Sequence, residues 1–188
     1  MNELKRLLAA ASAAALVFAA CPVTAQAAVT ADFADEYGEV ISGADYTIMV
    51  RLSGKYITAA NDGNVHQWEK LGDESQIWHI ESVGGGKCCI LSGKDRSLAL
   101  TVENGDSTNG NNIYLSEYKD TAAQHFILHR TDDAYYITAE CSGNAALDVY
   151  DISYENGANI DQWDYWKGEG QKFYPSCWRR FQVRPRRP

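Results

Sequence analysis

Two hexapeptides of this chain set an indole among amides and acids: Asn64-Val65-His66-Gln67-Trp68-Glu69 and Asn159-Ile160-Asp161-Gln162-Trp163-Asp164. A sugar offers hydroxyls and one apolar face of ring C–H groups, so such residue types suit it: a flat ring for the face, carboxylates and amides for the hydroxyls. Catalytic chemistry has less support. Asp148, Asp161 and Asp164 could supply a glycosidase carboxylate pair, but no spacing favours that over binding. His125 and His129 share a strand face yet lie about 13 Å apart at ~3.3 Å per residue, too far for one metal. There is no Gly-x-Ser-x-Gly elbow, phosphate-cradling glycine loop or His-Glu-x-x-His helix. The reading is therefore non-catalytic, with no metal and no cofactor.

The elements that must hold these residues begin after a processed N-terminus. Lys5 and Arg6 precede the apolar run Leu7 to Ala20, and Ala25-Gln26-Ala27 offers a small-x-small cleavage site. Residues 1–27 thus read as a secretory signal peptide, and the chain is expected to be exported. A rival cut exists, since Phe18-Ala19-Ala20-Cys21 resembles a lipoprotein box that would leave a lipidated Cys21. Only that form would sit on a membrane. The formal net charge is −8, and Arg179, Arg180, Arg184, Arg186 and Arg187 crowd into the C-terminal end. The rest of the body is therefore strongly acidic, which argues against nucleic acid and anionic lipid as partners. Residues 185–188 form a basic tail.

Cys88, Cys89, Cys141 and Cys177 remain after cleavage. An even count in an exported chain suggests disulfides. Cys88 and Cys89 would point to opposite faces of a strand, so pairing with Cys141 or Cys177 is the expectation, with the connectivity open.

Residues 28–43 are acidic and irregular and read as an N-terminal arm. Beyond them no segment keeps a helical apolar period. Short β-branched and aromatic runs alternate instead with turn dipeptides such as Ser53-Gly54, Asp62-Gly63, Asn109-Gly110 and Asn156-Gly157. Twelve strands are expected, the last over Trp178 to Val183. They fall into three copies of four. Gln76-Ile77-Trp78-His79-Ile80 recurs as Gln124-His125-Phe126-Ile127-Leu128, 48 residues on. The two opening hexapeptides align with Asn112-Ile113-Tyr114-Leu115-Ser116-Glu117 at offsets of 48 and 47, and Ile57-Thr58-Ala59, Leu100-Thr101-Val102 and Leu147-Asp148-Val149 align ahead of them.

With these repeats in hand, the chain resembles the ricin-B-type lectin family, whose repeats carry a Gln-x-Trp motif. The resemblance spans roughly residues 44–184 and implies an all-β fold, a β-trefoil of three four-stranded repeats around a shared apolar axis. The third copy departs from the pattern. Gln171-Lys172-Phe173 stands at the right distance from Trp163, but continuing that strand brings Pro175 into the ladder, where it cannot donate. Phe181 and Val183 are therefore expected to close the barrel, with residues 167–177 as a loop.

The resemblance also implies a sugar site in each copy: an Asp at the Leu-Asp-Val position, an aromatic near the end of the third strand, and polar partners nearby. The third copy has Asp148 and Trp163, with Asp161, Asn159 and Gln171 as polar candidates. The first keeps Trp68, His66 and Asn64 but has Thr58 for the Asp, and Trp68 reads equally as a surface stacker or a packing residue. The second has Thr101 and Ser116 and reads as structural. An Asn commonly precedes the family's motif Gln, whereas here Ser75, Ala123 and Gly170 do. Trp78, Phe126 and their neighbouring Gln side chains are assigned to the core, the amides satisfying buried backbone groups. Tyr165 and Trp166 either extend an aromatic surface or pack the long loop. The expected partner is carbohydrate. A trefoil that has lost sugar chemistry and works by protein contact, as an inhibitor or a toxin or adhesion subunit, is the second reading.

Overall fold

The computed structural model describes residues 40, 42–131 and 133–178. The signal peptide, Cys21, most of the acidic arm, Phe181, Val183 and the basic tail lie outside the described residues. Within them the chain forms twelve strands, four per repeat. The first repeat holds β1 (Ala44–Val50), β2 (Tyr56–Ala59), β3 (Val65–Trp68) and β4 (Trp78–Gly84). The second holds β5 (Lys87–Ser92), β6 (Leu98–Val102), β7 (Ile113–Glu117) and β8 (Phe126–Arg130). The third holds β9 (Tyr135–Ala139), β10 (Ala145–Val149), β11 (Ile160–Asp164) and β12 (Phe173–Cys177).

Antiparallel pairing runs from β1 to β4, β5, β8, β9, β12 and back to β1, so six strands close into a barrel with no free edge. The other six form three hairpins, β2–β3, β6–β7 and β10–β11, that cap one end. This is the β-trefoil. Its core repeats with the sequence: Ile57, Leu100 and Leu147 share one position, Val65, Ile113 and Ile160 another, and Trp78, Phe126 and Phe173 a third, all at most 1% exposed. Where the hairpins meet, Asn64, Asn112 and Asn159 close a ring of amides. Each Nδ2 donates to the next Oδ1, Asn64 to Asn159 at 2.9 Å, Asn159 to Asn112 at 2.8 Å and Asn112 to Asn64 at 2.9 Å.

The third repeat closes with Phe173–Cys177 rather than with the expected Trp178–Val183, which corrects the reading of residues 167–177 as a loop. Arg51 N–H donates to the Lys172 carbonyl and Trp178 N–H to the Asp45 carbonyl. Hydrogen-bonded pairs therefore fall on every second residue, and Pro175, opposite Ile48, takes a non-bonded position where its missing N–H costs the β1–β12 ladder nothing.

The pairing expected of Cys88 and Cys89 is also corrected. Cys88, Cys89 and Cys141 are free thiols. Cys88 points into the main core while Cys89 points to the opposite face, beside Leu91 and Ala99. Burial in apolar surroundings pushes the Cys88 thiol above its ordinary range, which makes it inert.

Candidate functional site

The three motif glutamines are turn clamps. Gln76 accepts from Leu71 N–H and donates to the Glu69 carbonyl, both at 2.8 Å. Gln124 does the same with Lys119 and Glu117, again at 2.8 Å. Gln171 accepts from Trp166 N–H at 3.0 Å and donates to the Trp163 and Asp164 carbonyls at 3.2 Å. Gln171 is thus the motif residue of the third repeat, fully buried with its amide spent on backbone. Asn159 belongs to the amide ring on the axis. Neither presents its side chain as a surface ligand.

The structure does bring Asp148, Asp161 and Trp163 together. β10 and β11 pair with Asp148 opposite Asp161 and Ala146 opposite Trp163. Residues opposed across an antiparallel ladder share a face, so the two carboxyls and the indole stand on one side of the hairpin. Trp163 is 45% exposed, whereas Asp148 and Asp161 are buried. Asp148 Oδ2 accepts from Trp166 Nε1 at 3.3 Å, and its Oδ1 is buried without a partner. Burial raises the Asp148 carboxyl, opposed by that indole N–H. Burial first, and the neighbouring Asp148 second, push Asp161 up to about 7, so at neutral pH it is often a neutral acid that can donate as well as accept.

Two glycines shape this site. A methyl group at Gly168 would lie 2.0 Å from the Trp166 ring, and one at Gly170 would lie 2.9 Å from Asp148 Oδ1. The position before the motif Gln is therefore glycine because a side chain has no room there. Trp166 is the site residue that sequence reasoning left undecided. The Gly168-Glu169-Gly170 spacing was the signal that something bulky lies against this turn.

The other copies differ. In the second, Thr101 Oγ1 and Ser116 Oγ lie 2.7 Å apart and both accept from Gln124, so both hydroxyls are tied to that turn clamp. The first opens a cleft of about 710 Å³ lined by Thr58, His66, Trp68, Asp73 and Lys94 among others. There the His66 and Trp68 rings lie 5.4 Å apart at 49°. Burial lowers the His66 pKa, so the imidazole is neutral at pH 7. Thr58 Oγ1 accepts from Gln76 and donates to the Tyr56 carbonyl, and no carboxylate stands at that position. Among the described residues no group of three or more His, Cys, Asp or Glu side chains could hold a metal.

The family model described as ricin-type beta-trefoil lectin domain-like matches residues 36–116 and 97–163. A search of curated proteins finds no match. Among solved structures, the designed three-fold symmetric protein ThreeFoil is 31% identical with a TM-score of 0.66, covering 70% of this chain and 96% of that one. The exo-β-1,3-galactanase 1,3Gal43A from Clostridium thermocellum is 26% identical with a TM-score of 0.65, covering 71% of this chain and 30% of that one. The Macrolepiota procera ricin B-like lectin, in complex with lactose, is 19% identical with a TM-score of 0.62, covering 73% of this chain and 98% of that one.

Proposed function

Because the chain belongs to the ricin-type beta-trefoil lectin domain-like family, we propose that it is an exported, non-catalytic carbohydrate-binding protein whose main site is the Trp163 face of the third repeat. One observation carries the reading: an exposed indole shares a strand face with a buried carboxylate whose Oδ1 has no partner. Trp163 takes the C–H face of a pyranose. Asp148 accepts from its hydroxyls, using the capacity that the single Trp166 N–H leaves open, and Asp161 in its acid form adds a donor. An orphaned buried acceptor costs ~1–3 kcal/mol, which a bound hydroxyl group near the pair relieves. Galactose-type sugars are the first probes, since the similar proteins named above include one bound to lactose and a β-1,3-galactanase.

The test is a glycan array followed by calorimetry with Trp163→Ala and Asp148→Ala. Each variant should lose at least about tenfold in affinity, ~1.4 kcal/mol. Binding retained in both overturns the site. A wild-type chain silent on every glycan but capturing one protein favours the protein-contact reading, and release of sugar fragments favours an enzyme. Export is tested by expressing the full chain and sequencing the N-terminus of the released protein, which should begin at Ala28.

A further inference from the structure

The sheet face that carries Trp163 does not stop at its own hairpin. Trp163 stands opposite Ala146, Ala146 opposite Thr138, and Thr138 opposite Ile127. These four make one row across β11, β10, β9 and β8. His129 and Tyr136 form the next pair along β8 and β9, on the same side, while Leu128 and Ile137 turn into the core. Ala146 and Thr138 are almost fully covered. Tyr165 stands two residues beyond Trp163, and its ring stacks on Tyr136 with centroids 3.8 Å apart at 15°. Tyr136 in turn stacks on His129 at 4.4 Å and 6°. An aromatic stack therefore runs from Tyr165, two residues beyond Trp163, through Tyr136 to His129.

Packing alone would explain a stack that covered its own floor. It does not explain the opening beside it, a cleft of about 380 Å³ lined by Ile127, His129, Tyr136, Thr138, Glu140 and Asn144, with Lys87 on the rim. Tyr165 reaches that cleft through the backbone, its N–H donating to the Asn144 carbonyl at 3.2 Å. The walls carry no unpaired charge. Burial lowers the His129 pKa, and its Nε2 pairs with Thr138 Oγ1 at 2.9 Å. Lys87 and Glu140 neutralise each other at 2.5 Å. An aromatic wall, an apolar floor and an edge of amide and paired charge suit a neutral polyhydroxylated ring better than an anion or a lipid tail. From β11 to β9 the path crosses two strand spacings, about 10 Å, more than one pyranose ring covers.

We propose that the third-repeat site is one end of a longer path running over β10 and β9 to the Tyr136 and His129 cleft, which holds a further sugar unit, so that the ligand is an oligosaccharide or an internal stretch of polysaccharide. This rests on the carbohydrate-binding reading and adds the length of the ligand to it. Two units held on one rigid face bind more tightly than one, because the second pays little new translational entropy.

The experiment uses the whole exported chain with galactose and a β-1,3-linked galactotriose as probes. Calorimetry should show the trisaccharide binding at least about tenfold tighter than the monosaccharide. Tyr136→Ala should abolish that ratio while leaving galactose affinity within about twofold. Asn144→Arg, on the exposed rim, is the second variant and should also shrink the ratio, which guards against a folding defect in the first. Amide shift mapping on the unmutated chain should show His129, Tyr136 and Thr138 moving with the trisaccharide and not with galactose. Trp163-dependent binding of both sugars with an unchanged ratio in both variants, or with shifts confined to β10 and β11, overturns the extended path alone. Galactose binding that survives Trp163→Ala, or binding of neither probe, counts against the third-repeat site and takes the extension with it.

Discussion

The Asp148–Asp161 pair makes stability depend on pH in a direction opposite to most carboxylates, and Asp161→Asn isolates the effect. The folded chain holds the Asp161 proton up to about pH 7, whereas an unfolded Asp releases it near its ordinary value of 3.8. Between those limits the native state binds more protons than the unfolded one, so stability falls as pH rises. About three pKa units at 1.36 kcal/mol each give a swing of about 4 kcal/mol, complete a little above pH 7. Asn keeps the size and hydrogen-bonding capacity without the charge, so the variant lacks this loss. At pH 4 variant and wild type should be nearly equal, and at pH 8 the variant should be more stable by a few kcal/mol, or roughly 10 °C in Tm for a body of this size. Denaturant melts of both proteins at half-unit pH steps measure the difference directly, and contributions from groups outside the Asp148–Asp161 pair cancel in it. A variant-minus-wild-type difference that stays flat within about 1 kcal/mol from pH 4 to 8 would refute the claim that the pair is buried and shares its charge.

Two further outcomes follow from the geometry. Asn112→Ala removes two of the three amide bonds on the axis and orphans their partners, so calorimetric melting should drop by about 2–3 kcal/mol with sugar affinity unchanged. Gly168→Ala places a methyl group within 2.0 Å of Trp166, so the indole must leave Asp148. Sugar affinity should then fall roughly tenfold, ~1.4 kcal/mol for a lost bond to a charged acceptor, and the Trp166 indole N–H resonance should move. An unshifted indole signal would show that Trp166 is not wedged on Gly168.

Much of the fold was legible because the trefoil repeats its structural residues. The Gln76 and Gln124 clamps and the triplets Val65, Ile113, Ile160 and Trp78, Phe126, Phe173 recur at offsets of 48 and 47, and each recurrence marks a group that must satisfy backbone or fill the barrel. The third closure was misjudged on Pro175, because a proline's cost depends on ladder parity and sequence does not reveal which residues face a hydrogen bond. Gln171 and Asn159 were likewise placed among sugar ligands on residue type alone. Yet the same offsets that aligned Asn64, Asn112 and Asn159 could have revealed the ring, since three copies of one amide around an axis have each other as nearest partners.

The site itself was half legible, and the division has a physical cause. Asp148 and Trp163 are two steps of strand register apart, and register follows from the hairpin that the repeat predicts. Trp166 and the stacking of Tyr165 on Tyr136 depend on how the segment after β11 folds back, which no periodicity encodes. The copies also separate two kinds of polar residue. Those that clamp turns appear in all three repeats, since each repeat needs its turn held. A carboxylate at the Leu-Asp-Val position appears once, beside an exposed indole and against a glycine that leaves it room. A buried acid with an unpaired oxygen weakens the fold that carries it, and under the proposed function its presence in one repeat of three, at the mouth of an aromatic face, is accounted for by what it would bind rather than by what it holds together.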